Sequence, residues 1–192
     1  MTKFMTSAAL AALLLGAAPV MAAPGDVLTV DLDRVLSESA AAKNSTNQLR
    51  AKYDGQLQTR RTAFNTAAQA FQTQRQAAIA ANKPGSQPPA ATVQSLQAAG
   101  EKAQAAQESL NQLGQELQAV EGYVRQQIIE HVTPIAEQIR NERKASAVLS
   151  KGSLLASDPA GDVTATLIQR LDQQFPNPSI ALPQQTPAAQ GR

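Results

Sequence analysis

The chain has no cysteine or tryptophan, a single histidine and few aromatic residues, 3% of 192 positions. Without cysteine it can form no disulfide framework, no thiolate metal site and no Cys/His catalytic pair. The one histidine, His131, falls in a long helical pattern, where such a residue is far more often a surface or packing group than a catalyst. No glycine-rich stretch resembles a phosphate-binding loop. The sequence therefore predicts no enzyme and no cofactor.

Two further kinds of site are disfavoured by the surrounding sequence. Asp31 and Asp33 could form a metal pair, but they lie where a strand passes into a helix, and helix capping explains them more simply. Nucleic acid is not an expected partner, because no aromatic cluster is present for base stacking. We therefore expect function to reside in the shape and the surface of the chain.

The first 22 residues have the features of an export signal. Lys3 precedes an apolar run over residues 8–18, and Val20-Met21-Ala22 fits a small-residue cleavage site after Ala22. The run is shorter than the roughly 20 residues that span a bilayer. The sequence thus predicts a soluble protein that is exported beyond the inner membrane.

Two stretches of helical character, residues 39–82 and 90–143, are rich in alanine and glutamine. A helix of about 44 residues is roughly 65 Å long, more than a compact domain of this size needs. The pair is predicted to form an antiparallel coiled-coil arm over residues 39–144, with its tip at 83–89. Apolar residues recur at helical spacing along both stretches, as Tyr53, Leu57, Phe64, Phe71 and Ala78 in the first and as Leu96, Ala99, Ala103, Ala106, Leu110, Leu113, Leu117, Val120 and Val124 in the second.

Charge is distributed unevenly along this arm. Residues 43–83 contain seven basic residues and one acid, whereas residues 101–144 contain seven acids and five bases. This pattern favours pairing of the two helices and leaves surplus positive charge on the first. Either these are ordinary solvated helix faces or the first helix attracts acidic partners.

The two ends of the exported chain are predicted to form a small β-rich body, residues 23–38 and 145–175. A strand over residues 26–31 leads into a helical turn, and residues 147–150 and 153–156 read as a hairpin around Lys151-Gly152. A last amphipathic helix follows, and the Pro/Gln-rich tail from Pro176 to Arg192 is predicted to be disordered. The fold class is thus α+β and mostly helical. Three short strands and one helix make a marginal domain with open edges, which predicts oligomerisation.

Two segments resemble the Skp/OmpH family of periplasmic chaperones. Residues 27–43, VLTVDLDRVLSESAAAK, are similar to that family's opening strand and the start of its arm. Residues 147–172, AVLSKGSLLASDPAGDVTATLIQRLD, are similar to its closing strands, turn and final helix. The helices between match in length and placement only.

The resemblance implies a jellyfish-like homotrimer whose arms enclose a cavity. Such a protein holds unfolded outer-membrane proteins there without ATP. Matched position by position, the body and the subunit contact would be formed by Val27, Leu28, Val30, Val148, Leu149, Leu154 and Leu155. The sequence does not decide whether the protein also associates transiently with membrane lipid or lipopolysaccharide.

The arm has no family motif, so the candidates for contact with an unfolded client come from periodicity and charge alone: Arg60, Arg61, Phe64, Phe71, Arg75 and Lys83. For the aromatic members, packing between the two helices is the competing explanation. The alternative function is a structural envelope protein in which the coiled coil acts as a spacer or adaptor. A spacer should have a dense Leu/Ile seam, whereas this seam is rich in alanine, which favours the chaperone.

Overall fold

The computed structural model describes residues 26–82 and 88–183. The predicted export signal and most of the predicted tip, including Lys83, lie outside these residues. Along the described chain the elements are β1 (Val27–Val30), α1 (Leu32–Glu38), α2 (Ala40–Ala81), α3 (Ala90–Glu142), β2 (Ala147–Ser150) and α4 (Thr164–Gln174), with short 3-10 turns at Lys151–Ser153 and Pro159–Gly161. None of the helices in these two ranges is long and apolar enough to cross a membrane.

The long helices α2 and α3 pack against each other as the predicted arm. Tyr53 is hydrogen-bonded to Glu116, and Arg60 is hydrogen-bonded to Ser109. Higher residue numbers on α2 therefore lie opposite lower residue numbers on α3. The helices therefore run in opposite directions. They contain 42 and 53 residues, which corresponds to lengths of about 60 and 80 Å.

A sharp bend separates α1 from α2. Ser39 has φ −64° and ψ 153°, so it ends α1 in an extended conformation. Its side-chain oxygen accepts a hydrogen bond from the amide of Ala42 and caps α2. At the start of α1, Asp31 accepts one from the amide of Arg34, which confirms the capping role predicted there.

The sheet has two parallel strands, with Val27 opposite Ala147 and Val30 opposite Ser150. Parallel strands need a long crossover connection, and here the whole arm supplies it. The other side of β1 is covered by the segment before α4, where the amide of Val163 donates to the carbonyl oxygen of Thr29 at 3.0 Å. The outer edge of β2 has no strand beside it among the described residues.

The predicted hairpin around Lys151-Gly152 is wrong. Residues 151–153 form a 3-10 turn, and residues 154–156 do not return as a strand. A two-residue type I′ hairpin loop needs positive φ at its first central residue, and Lys151 does not adopt it. Its Nζ instead donates to Oδ2 of Asp162 at 2.6 Å, which draws the chain toward α4.

The prediction of a wholly disordered tail is also wrong for its first part. Residues 176–183 belong to the described chain, and Pro178 is fully buried. Ile180 packs against the core. The rest of the tail lies outside the described residues.

A hydrophobic core joins the body to the near end of the arm. It combines Leu28 and Val30 of β1 with Val35 of α1. The helices contribute Val120, Val124, Ile128, Val132, Ile135 and Ile139 from α3 and Val163, Leu167 and Leu171 from the region of α4. Because α3 supplies much of this core, the direction of the arm is set by packing inside the body.

Candidate binding surface and subunit interface

The residues predicted for the body interface divide into three groups by burial. Leu28 and Val30 are buried within the single chain, so their contribution is to the chain's own core. Val27 and Leu149 are 44% and 41% exposed, and Leu155 is fully exposed. Val148 and Leu154 are half-buried. The exposed members are the ones that remain free for contact with another copy.

Beside the open edge of β2 lies an apolar groove of about 310 Å³. Val148, Leu149 and Val30 line it from the sheet, and Val132 and Ala136 line it from α3. Glu137 and Arg140 stand at its rim. An unpaired strand edge next to an apolar groove is a surface on which another chain can pack.

The six candidates for client contact on the arm differ in their exposure and in their contacts with the rest of the arm. Arg61 and Arg75 are exposed on α2. Arg60 is half-buried and donates from Nη1 to the carbonyl oxygen of Ser109 at 2.7 Å, so it joins α2 to α3. Lys83 lies outside the described residues.

The aromatic candidates Phe64 and Phe71 are half-buried, as expected of residues at the seam between the helices. Phe71 approaches Gly100, where a Cβ would lie 3.3 Å from its ring. The absence of a side chain at Gly100 thus lets this ring pack closely against α3. Part of the Phe71 ring thus packs against α3, and the rest of the side chain stays accessible.

The root of the arm has a second groove, of about 630 Å³, that sequence reasoning did not identify. Leu49, Tyr53 and Leu57 of α2 line it together with Leu117 and Val124 of α3. Four charged residues surround this apolar floor: Arg50, Asp54, Glu121 and Arg125. Tyr53 and Leu117 belong to the predicted seam, but periodicity alone does not show that the helices diverge enough to leave a groove.

Ionisable groups of the body form a local hydrogen-bond network around Asp162. Asp162 accepts hydrogen bonds from Lys151 and Thr164, and these lower the pKa of its carboxyl from 3.8 to about 2. Thr164 Oγ1 in turn accepts from the amide of Asp31 at 2.9 Å. No cluster of three or more histidine, aspartate or glutamate residues suited to a metal ion occurs within 26–82 and 88–183.

Comparison with known proteins identifies the family. The sequence model of the OmpH family, described as "Outer membrane protein (OmpH-like)", matches residues 26–171. No curated protein sequence matches the chain significantly.

Among solved structures, an OmpH-like protein of Caulobacter crescentus CB15, described as a candidate outer membrane chaperone, has a similar fold. The TM-score is 0.60 at 20% sequence identity, and the alignment covers 82% of this chain and 89% of that one. The family match runs from β1 through both arm helices into α4 and spans well over half of the sequence. The chain therefore belongs to the OmpH-like family.

Proposed function

We propose that this protein is an ATP-independent periplasmic holdase, a chaperone without enzymatic activity that binds unfolded outer-membrane proteins and prevents their aggregation in transit. Family membership supports a chaperone role, as does the description of the C. crescentus relative. The observation that carries the proposal is the lack of buried side chains in the distal arm, the part of α2 and α3 farthest from the body. Within residues 54–82 and 88–112 no side chain is buried, although both helices are continuous there.

Such an arm presents a long surface without a deep pocket. Arg61 and Arg75 project positive charge from it, and the half-buried Phe64 and Phe71 offer the accessible parts of their rings. Many weak contacts of this kind suit a client that has no fixed structure, because each contact tolerates a change of sequence. Lys83 is proposed as a further basic contact near the tip.

We infer that three copies assemble through their bodies, with the arms surrounding a cavity for the client. The support is the open edge of β2, the groove beside it and the exposure of Val27, Leu149 and Leu155. Within the described residues one chain provides two strands of four residues each, and the outer edge of β2 is left unpaired there. Pairing between copies would cover the edge and bury these apolar side chains.

The alternative of a rigid spacer is less well supported by the same arm. A spacer is strengthened by a continuous buried seam, whereas here burial ends at Tyr53 on α2 and Leu113 on α3. Beyond that level Ile79 and Val93 are not buried by any part of the chain within residues 26–82 and 88–183. This distal half is better suited to adaptable contact than to stiffness.

The proposed activity can be tested by light scattering during dilution of a urea-unfolded outer-membrane β-barrel. The chain from Ala23 onward, added at one trimer per barrel, should suppress aggregation without ATP. The double substitution Arg61→Glu/Arg75→Glu should weaken suppression several-fold for an acidic client. As a control, Arg143→Glu/Lys144→Glu makes the same charge change at the foot of the arm and should have little effect. No suppression by the unmodified chain would refute the holdase.

A further inference from the structure

The segment that follows α4, residues 175–182, lies against the root of the arm, and we call it the C-terminal strap. It begins beside the junction of body and arm, where Asp172 Oδ1 of α4 accepts a hydrogen bond from the amide of Ala40 at 2.7 Å. The strap reads Phe-Pro-Asn-Pro-Ser-Ile-Ala-Leu and is not helical. It lies beyond residue 171, where the family match ends.

Two side-chain amides of the arm bind the strap through polar contacts. Gln127 of α3 donates from Nε2 to the carbonyl oxygen of Ser179 at 2.8 Å. Its Oε1 accepts from the Ser179 amide at 3.0 Å. Asn44 of α2 donates to the carbonyl oxygen of Pro176 and to Oδ1 of Asn177, each at 3.0 Å. Gln127 thus satisfies both backbone groups of one strap residue, as a neighbouring strand would.

Apolar contacts supplement these bonds. Pro178 is among the fully buried side chains of the molecule. Phe175 stacks on the ring of His131, with centroids 3.7 Å apart and planes 8° from parallel. Ile180 packs against the core cluster. Apolar contacts at Phe175, Pro178 and Ile180 thus lie among the polar contacts of residues 176, 177 and 179, as in a bound extended peptide.

We propose that Asn44, Gln127 and His131 form a binding site for an extended, proline-containing peptide, and that this chain occupies the site with its own strap. The site spans both arm helices, so an occupied site ties α2 and α3 to each other and to α4. The strap acts as an intramolecular ligand that fixes the root of the arm, while the distal arm beyond Tyr53 is left unconstrained by it. Because the strap is covalently attached, its effective concentration is high and it excludes a free peptide of the same sequence.

The first test is hydrogen exchange in the full chain. The change Gln127→Ala removes both bonds to Ser179 and should accelerate exchange of the Ser179 amide about tenfold, with a smaller increase at the start of α2. The matched control is Gln126→Ala, since the exposed neighbour Gln126 bonds to Glu130 on the same helix and to no strap residue from 175 to 182. A Ser179 amide that exchanges freely in the unmodified chain, or equally fast in both variants, would overturn the proposal.

The second test supplies the ligand separately. The full chain with Pro178→Asp and Ile180→Asp should release its strap, and a fluorescent synthetic peptide of residues 175–182 should then bind at least tenfold more tightly than to the unmodified chain. Adding Asn44→Ala and Gln127→Ala should abolish that binding. Equal peptide binding to released and unmodified chains would contradict the proposal, as would none to the released chain with unchanged circular dichroism. Neither test uses an unfolded client, so the result is independent of the holdase assay.

Discussion

The hydroxyl of Tyr53 donates a hydrogen bond to Oε1 of Glu116 at 2.6 Å, and it joins α2 to α3 at the level where burial in the arm ends. Tyr53 is 3% exposed and is the last buried residue along α2. Nearby on α3, Leu113 is the buried residue farthest from the body. This bond therefore marks the boundary between a packed root and an open distal arm.

Replacing Tyr53 by phenylalanine keeps the ring but removes the bond to the carboxylate. Bonds to charged groups contribute about 1.5–3 kcal/mol, and the exposure of Glu116 places the loss toward the lower end. The expected result is a lower free energy of unfolding in urea at fixed protein concentration. Glu116→Gln retains an acceptor and should cost less. Equal stability of Tyr53→Phe and the unmodified chain would show that the bond does not hold the root together.

A substitution at Lys144, just after the end of α3, is predicted to stabilise the protein. Lys144 has φ 55°, a left-handed conformation in which a side chain is unfavourable. The amide of Ala145 donates to the carbonyl oxygen of Arg140 at 3.0 Å across this turn, so the conformation is needed to end the helix. Lys144→Gly should therefore raise stability by roughly 0.5–1 kcal/mol.

The adjacent position provides the control for this change. Arg143 has φ −82° and ψ −5°, which any residue adopts without strain. Arg143→Gly should leave the thermal unfolding midpoint unchanged or lower it. If both glycine variants shift the midpoint in the same direction, the explanation based on backbone conformation is incorrect.

Acid should weaken the body through Asp162. Hydrogen bonds from Lys151 and Thr164 hold the pKa of its carboxyl at about 2, below the ordinary 3.8. A group whose pKa is lower in the folded state stabilises the protein fully above its unfolded pKa, and this contribution is lost as pH falls from about 4 to about 2. Asp162→Asn should lower the thermal unfolding midpoint at neutral pH. It should also make that midpoint fall less steeply between about pH 4 and about pH 2. Asp54→Asn, on an exposed face of α2, should do neither.

Two glycines inside the arm helices should be replaceable with a gain in helix stability. A Cβ at Gly55 or at Gly114 would have no heavy atom within 4 Å, so neither glycine is required by packing. Alanine is more favourable than glycine in a helix interior by about 1 kcal/mol. The double substitution should slow hydrogen exchange in the middle of the arm. Gly100→Ala, which would press on the ring of Phe71, should gain less.

The sequence predicted the arm well because its evidence is local. Helical periodicity around Tyr53 and Leu113 does not depend on the rest of the fold, and the bounds of α2 and α3 agree closely with it. The hairpin prediction was wrong because a contact between Lys151 and Asp162, eleven residues apart, redirects the chain. Only the folded arrangement brings that carboxylate to the lysine.

The strap was missed for a similar reason. Pro/Gln-rich composition normally indicates disorder, yet Gln127 lies 52 residues from its partner Ser179 and Asn44 lies 132 from Pro176. Nothing distinguishes Gln127 from the many other glutamines of the arm in the sequence. The available signal was Phe175-Pro176-Asn177-Pro178-Ser179-Ile180, in which apolar residues recur within an otherwise polar tail.

The central claim is that the outer edge of β2, which is unpaired within the described part of one chain, is covered by other copies of the chain. Sedimentation velocity of the chain from Ala23 onward, at micromolar concentration, tests it most directly. We predict a single elongated species with three times the mass of the chain, and Leu149→Asp should shift it toward the monomer, whereas Ile79→Asp on the distal arm should not. A folded monomer that persists at these concentrations would contradict the account.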